Sequence, residues 1–234
     1  MSRKSYLPQG LTILYEDDDI LVVDKPSGLL TIATEKEKIK TAYHALTDYV
    51  RKGNARSSKR IFIVHRLDRE TSGALVFAKT QEAKDALQAQ WQDTDKRYLA
   101  VVPGTLAEKT ATLTSYLAEN AAHVVYSTHD SSKGKFAQTA YRVLKETGEF
   151  TLLEVSLLTG RKHQIRVHLA DKGYPVVGDK RYGRKESSHK RLALHAQSIA
   201  FNHPVSGKRV DIAAKIPVFF LKLVGNIPKS EGQE

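Results

Sequence analysis

The chain has no cysteine in 234 residues. That absence excludes a disulfide framework, a Cys-ligated zinc or iron centre and a thiol nucleophile together, and it leaves the redox compartment open because nothing is there to oxidise. Long apolar runs are missing too. No window approaches the ~18 consecutive apolar residues of a membrane span, and the basic start Met1-Ser2-Arg3-Lys4 leads into no apolar stretch of the kind a secretory signal needs. A cytoplasmic protein with no membrane attachment is expected. There is no internal repeat, no low-complexity segment, no glycine-rich phosphate loop and no Asp-Phe-Gly. His65-Arg66-Leu67-Asp68 is therefore not a kinase catalytic loop, since Leu67 also separates the Arg from the Asp. Glu70 stands two positions before Ser72, where a nucleophile elbow needs Gly, so a serine hydrolase has little support. His163 and His168 miss the i, i+4 spacing of a helical zinc pair and have no evident third ligand, and no metal is expected.

Acidic residues are in deficit as well: 26 Asp+Glu face 37 Lys+Arg, a formal net charge of +11. Such a surplus suits a polyanion, because each phosphate neutralised by Lys or Arg releases counterion and adds affinity whatever the sequence. The cations are grouped. Arg51, Lys52, Arg56, Lys59 and Arg60 form one run without an acid, and Lys180, Arg181, Arg184, Lys185, Lys190 and Arg191 form another opposed only by Glu186. Either run alone reads as a solvated loop; two of them flanking chemical motifs favour RNA or DNA.

The hydrophobic pattern predicts a hairpin over 11–23 with Asp17-Asp18-Asp19 as its turn, and a helix after Thr41. Short strands are expected at 61–64 and 74–78, a helix at 81–91 and a strand at 97–102. Further strands fit 123–127, 138–144, 150–158, 192–194, 198–201 and 210–213, and a helix fits 163–171 with Lys172-Gly173 as its stop. Strands and helices mix without βαβ alternation, so the expected class is α+β with a mixed or largely antiparallel sheet in a single domain over 11–225. Flexible tails are expected at 1–10 and 226–234.

Asp68 stands out chemically. It lies in a dense polar segment between two apolar strands, with Arg66 and Arg69 beside it in sequence, and a carboxylate near guanidinium stays ionised and available as nucleophile or base. The plainer reading is an Asp that braces a turn and pairs an Arg. A second cluster, Thr159-Gly160-Arg161-Lys162-His163-Gln164-Ile165-Arg166-Val167-His168, would offer an anion site at its Gly160 end if it were helical. Tyr98, in a predicted strand, reads as core packing or as a ring that stacks on a base.

Taken in order, these residues resemble the RluA-type pseudouridine synthase family. The segment His65-Arg66-Leu67-Asp68-Arg69-Glu70-Thr71-Ser72-Gly73 is similar to the family's catalytic-loop signature. Around it, in the family's order, come Lys25-Pro26-Ser27-Gly28, Lys96-Arg97-Tyr98-Leu99-Ala100 and the Thr159 to His168 cluster. Gly173-Tyr174-Pro175-Val176-Val177-Gly178-Asp179, Leu192-Ala193-Leu194-His195-Ala196 and His203-Pro204 follow, so the similarity spans about 11–213.

The resemblance implies a single catalytic domain on a mixed, mostly antiparallel sheet flanked by helices, with a basic cleft. It implies isomerisation of uridine to pseudouridine in structured RNA without metal or other cofactor. By that resemblance Asp68 is the nucleophile, Tyr98 stacks on the target base and assists proton removal, and Arg166 ion-pairs Asp68. Arg66 would fill the space left by the flipped nucleotide. Arg69, Thr71, Arg161, His163, Gln164, Lys25, Lys180 and Arg181 are further RNA-binding candidates. An activated carboxylate, an aromatic ring and an arginine are what a flipped nucleotide needs. The family's motifs begin almost at the start of the chain, leaving no room for the small helical RNA-binding domain many relatives carry, so a minimal, monomeric member acting on ribosomal or transfer RNA stem-loops is expected. The alternatives are a catalytically silent RNA-binding module on the same fold and a nucleoside or glycoside hydrolase pairing Asp68 with Asp179.

Overall fold

The computed structural model describes residues 7–52, 54, 56–183 and 189–227. Residues 1–6 and 228–234 of the expected tails, and Arg184 and Lys185 of the second basic run, lie outside the described residues. In chain order the elements are β1 (Thr12–Glu16), β2 (Ile20–Lys25), α1 (Ala42–Arg51), β3 (Phe62–Ile63), β4 (Ser72–Ala78) and α2 (Gln81–Ala89). A 3-10 turn (Trp91–Asp93) precedes β5 (Asp95–Pro103), β6 (Thr110–Glu119), β7 (Val125–Thr128), β8 (Lys135–Glu146) and β9 (Phe150–Leu157). The chain closes with α3 (Gln164–Asp171), β10 (Leu194–Asn202), β11 (Arg209–Ala213) and α4 (Val218–Val224). It forms two compact units, 1–95 with 196–215 and 96–195 with 216–234. The class is α+β, with a mixed, mostly antiparallel sheet flanked by helices: β1–β2, β2–β4, β3–β4 and β10–β11 pair antiparallel in the first unit, and β5–β9, β8–β9, β6–β8 and β6–β7 in the second. No helix among the described residues is long and apolar enough to cross a membrane.

In the first unit the strands run β1-β2-β4-β10, with β3 on β4 and β11 on β10. The β1–β2 turn forms where expected because Asp17 Oδ1 accepts the N–H groups of Asp19 and Ile20 at 2.9 and 2.8 Å, an Asx turn that costs no glycine. Every residue of β4 is buried, which is why it reads in sequence as an unbroken apolar run. Both helices start at a threonine that accepts a backbone N–H, Thr41 from His44 and Thr80 from Ala83. The Ala83 and Leu87 face of α2 packs with Val22, Val76, Ile199 and Phe201 in one core cluster. Removing Leu87 to Ala there costs about 2–5 kcal/mol.

In the second unit the order is β5-β9-β8-β6-β7. Helix α3 lies on one face, its Val167 clustered with Leu117, Val125 and Ala137. The chain segments around Val177 and Ala193 close against β5: Val177 N–H donates to Val101 O at 2.8 Å, Val101 N–H to Ala193 O at 3.0 Å and Ala193 N–H to Val177 O at 2.8 Å. Gly178 sits at φ +75°, and a Cβ there would come within 1.9 Å of the Arg191 carbonyl oxygen, so only glycine fits.

Three elements differ from the sequence expectation. Strand β6 was not anticipated, although Thr110, Thr112 and Thr114 alternate with Ala111 and Leu113. Helix α4 was missed because it is short, uncapped by a side chain and mostly apolar. The strand expected at 198–201 is part of a longer one, β10, which starts at Leu194 and leaves Leu192 and Ala193 of the strand expected at 192–194 outside it: His195 and Gln197 look like a polar interruption, yet His195 is fully buried and the Gln197 amide donates to Ala214 O at 3.0 Å.

Candidate active site

The segment between β3 and β4 that carries Asp68 has no regular structure of its own, so its backbone groups need other partners. The strap following β2 supplies them. Lys25, fully buried, donates from Nζ to the carbonyls of Pro26, Leu29 and Arg69 at 3.0, 2.8 and 3.2 Å. Gly28 N–H donates to the same Arg69 carbonyl at 2.8 Å, and the Ser27 hydroxyl donates to Glu70 O at 2.7 Å. The buried Thr31 hydroxyl donates to Leu67 O at 2.9 Å and accepts Leu67 N–H at 3.2 Å. Thr71 N–H closes a turn onto Asp68 O. At the loop's start His65 Nε2 accepts Val76 N–H at 3.0 Å while its ring packs 4.5 Å from Trp91. At its end Gly73, φ +114°, pairs with Lys25 across β2–β4, and a Cβ would lie 2.2 Å from Ala196 O. The outcome is a half-buried Asp68 flanked by exposed Arg66 and Arg69 on a backbone held from below.

Burial pulls the Lys25 pKa down to about 7, and the charges of Asp68, Glu70 and Asp24 oppose that. Three carbonyl acceptors match the three protons of an ammonium, so the charged form is the one the geometry fits.

The second unit holds its arginine by side chains. Arg166, 7% exposed on α3, forms a bidentate pair with Asp179, Nε to Oδ2 at 2.7 Å and Nη2 to Oδ1 at 2.8 Å. Asp179 Oδ1 also accepts the N–H groups of Arg181 and Tyr182 at 2.9 and 3.1 Å. Burial would raise the Asp179 pKa, but Arg166 and the two backbone donors outweigh it and keep the group below the usual carboxylate range. The Arg166 guanidinium also lies 5.2 Å from the Tyr182 ring centroid, and the Tyr182 hydroxyl bonds His163 Nδ1 at 2.8 Å. With every oxygen of Asp179 engaged, it makes a poor second carboxylate for a hydrolase.

The remaining candidates divide by exposure. Arg161, Lys180 and Arg181 are exposed, with Arg181 Nη1 donating to His123 O at 2.6 Å. Tyr98 is 8% exposed in β5, opposite Val155 of β9. Lys25, Thr71 and Gln164 are buried and cannot reach RNA as they stand, which corrects their reading as direct contacts. Lys25 serves the loop. Gln164 serves its own segment, its amide oxygen accepting from Thr159 Oγ1 and Arg161 N–H and its amide nitrogen donating to Gln138 O and Thr139 Oγ1. The anion site foreseen at Gly160 does not form: α3 begins only at Gln164, after His163 at φ 55°, and the Arg161 N–H is already bonded. His168 bonds Ser115 and Thr139, both at 2.9 Å, and burial lowers its pKa. Sequence reasoning missed Ser27, Thr31 and Tyr182; only the motif around Lys25 hinted at the first.

The profile of the RNA pseudouridylate synthase family matches residues 19–171. The chain is similar to the RNA pseudouridine synthase YlyB of Bacillus subtilis, 35% identical over 227 residues that cover 95% of this chain and 75% of that one. It is similar as well to the ribosomal large subunit pseudouridine synthase D of Xanthomonas campestris, 37% identical over 223 residues, covering 88% and 66%. Among solved structures, human RNA Pseudouridylate Synthase Domain Containing 1 matches with a TM-score of 0.75 and 26% identity over 99% of this chain and 94% of that one. With the profile covering most of the chain and the fold shared end to end, the chain belongs to the RluA-type RNA pseudouridine synthase family, isomerases that convert uridine in RNA to pseudouridine.

Proposed function

We propose that Asp68 is the nucleophile of this isomerisation and that the substrate is a uridine in a stem-loop of ribosomal or transfer RNA. The relatives named for the large ribosomal subunit favour ribosomal RNA. In the reaction the bond from N1 of uracil to C1′ of ribose breaks, the base turns, C5 bonds to C1′, and the proton lost from C5 is balanced by one gained at N1. No external oxidant, reductant or group donor enters that balance. The Asp68 carboxylate attacks C1′ as the C1′–N1 bond breaks, stabilises the oxocarbenium character of the sugar, and leaves with its electron pair as C5 of the turned base bonds to C1′. Tyr98 stacks on the freed base and assists removal of the C5 proton. Arg166 orients the Asp68 carboxylate, and Arg66 takes the place of the flipped nucleotide. Lys25 acts through the loop, as a positioning residue.

The observation that carries this reading is the clamp: buried Lys25 and Thr31, with Ser27 and Gly28, bond the backbone on both sides of Asp68, so the loop that carries its carboxylate is held without any regular element beneath it. The test is incubation of the protein with total RNA from a strain lacking its gene, followed by pseudouridine mapping, with Asp68→Ala in parallel. New pseudouridine in ribosomal or transfer RNA with the wild-type protein alone is the expected result. The same sites appearing with Asp68→Ala would contradict it.

A further inference from the structure

We propose that a groove on the α3 side of the second unit holds the phosphodiester backbone of the RNA; this rests on the reading that the substrate is structured RNA. The groove encloses about 660 Å³. Its floor is Leu117 and Val125, which belong to the cluster that also holds Val167 of α3 and is packed by Tyr182. Beneath the floor, the Val125 N–H donates to the Tyr182 hydroxyl at 3.2 Å. Four cations line it from two separate segments: Lys133 and Lys135 from the turn into β8, and Arg161 and Lys162 from the stretch before α3.

A surface kept soluble by mixed charge would place similar numbers of both signs here. The lining instead has one carboxylate, Glu119, which is bracketed by Lys162 at 2.5 Å and His123 at 2.8 Å and held below its usual pKa by them. Arg161 is anchored through Nε on Phe136 O at 3.0 Å, which aims the fork without using its Nη groups. Lys135 has no polar partner among the described residues. Lys133 is held only by an exposed pair with Asp130 at 3.0 Å, worth little in water. Two glycines keep the walls low. A Cβ on Gly134 would press within 2.9 Å of Tyr116 Cβ, and a Cβ on Gly160 would meet nothing within 4 Å.

Exposed, long and partly unpaired cations over an apolar floor suit a chain of phosphates more than one small anion, which needs a buried donor. Such contacts strengthen binding without reading sequence and appear as salt dependence. Neither Lys133 nor Lys135 belongs to a catalytic motif.

The test measures the dissociation constant of unmodified, transcribed large-subunit ribosomal RNA across 50–300 mM KCl, on an Asp68→Asn background so that turnover does not intervene. Lys135→Gln with Arg161→Gln is expected to weaken binding about tenfold and to lower the slope of log affinity against log salt by about 1.4–1.8, two phosphate contacts' worth. Lys135→Arg with Arg161→Lys keeps the parent slope, and so does Lys36→Gln with Lys38→Gln, which removes equal charge from the first unit. A groove double variant whose slope and affinity match the parent overturns the proposal. Turnover by the wild-type protein is read separately: pseudouridine formed with the slope unmoved defeats the groove alone, and a lowered slope with no pseudouridine defeats the catalytic reading while the groove stands.

Discussion

Asp68 and Arg166 are fixed by opposite means. In the first unit an irregular loop is held through its backbone, its carbonyls at Leu67, Arg69 and Glu70 received by Thr31, Lys25 with Gly28, and Ser27. In the second, a regular helix supplies the position, and a bidentate carboxylate with an aromatic ring fixes the side chain itself. Backbone clamping leaves the Asp68 carboxylate uncommitted to the clamp, as the nucleophile proposed above requires. Side-chain clamping fixes the direction of the Arg166 guanidinium. The difference follows from local structure: an irregular polar segment needs outside partners for its backbone, whereas a helix satisfies its own and leaves only the side chain to be fixed.

Breaking the second unit's clamp should have the largest effect on stability. Asp179→Ala leaves the Arg166 charge buried and unmatched by that carboxylate, and a loss of about 3–5 kcal/mol is expected, a fall in Tm of roughly 10 °C by thermal melts. Retention of the parent Tm would show that the pair contributes no net stability. Next comes acid. Burial, aided by the Arg191 charge, lowers the His195 pKa from 6.5 to about 4. The folded state therefore binds fewer protons than the unfolded one between those values. Stability is full above about pH 6.5 and falls progressively toward pH 4, by about 3 kcal/mol in total. Melts of His195→Gln across that range should show a flatter profile than the parent, offset by whatever the substitution itself costs.

The first unit's clamp is more distributed, so single breaks there should be smaller. Lys25→Met strips three carbonyls of one donor and is expected to cost about 2–3 kcal/mol, with faster amide hydrogen exchange confined to the strap and the 67–71 loop. Activity should fall more than RNA affinity, because the residue touches no RNA. Thr31→Val removes a hydroxyl that serves both backbone groups of Leu67 and should cost about 1–2 kcal/mol, with the same exchange signature at lower amplitude. Equal and global exchange changes for both variants would mean that the strap belongs to the core and is not a local clamp.

Much of this was legible in the sequence, for physical reasons. The β1–β2 hairpin, both threonine-capped helices and β4 follow from local patterns that the fold leaves intact. The motif order gave the family, and Asp68 stood out as a carboxylate between strands. What escaped depends on contacts far apart in sequence. Lys25 reads as an RNA-binding candidate because its buried partner, the Arg69 carbonyl, lies 44 residues on. Asp179 looked like a free carboxylate because its partner sits 13 residues away on a helix. Gln164 looked like a surface hydrogen-bonder until its four partners closed around it.

The account stands on Asp68 most directly, and the decisive measurement is single-turnover pseudouridine formation by wild type and Asp68→Asn on the RNA found by mapping, with binding read on the same samples. The prediction is no detectable product from Asp68→Asn, at least a thousandfold loss, with RNA affinity within about threefold of wild type because phosphate contacts dominate binding. Product formed by Asp68→Asn at a comparable rate would remove Asp68 from the chemistry and leave the clamp without its purpose.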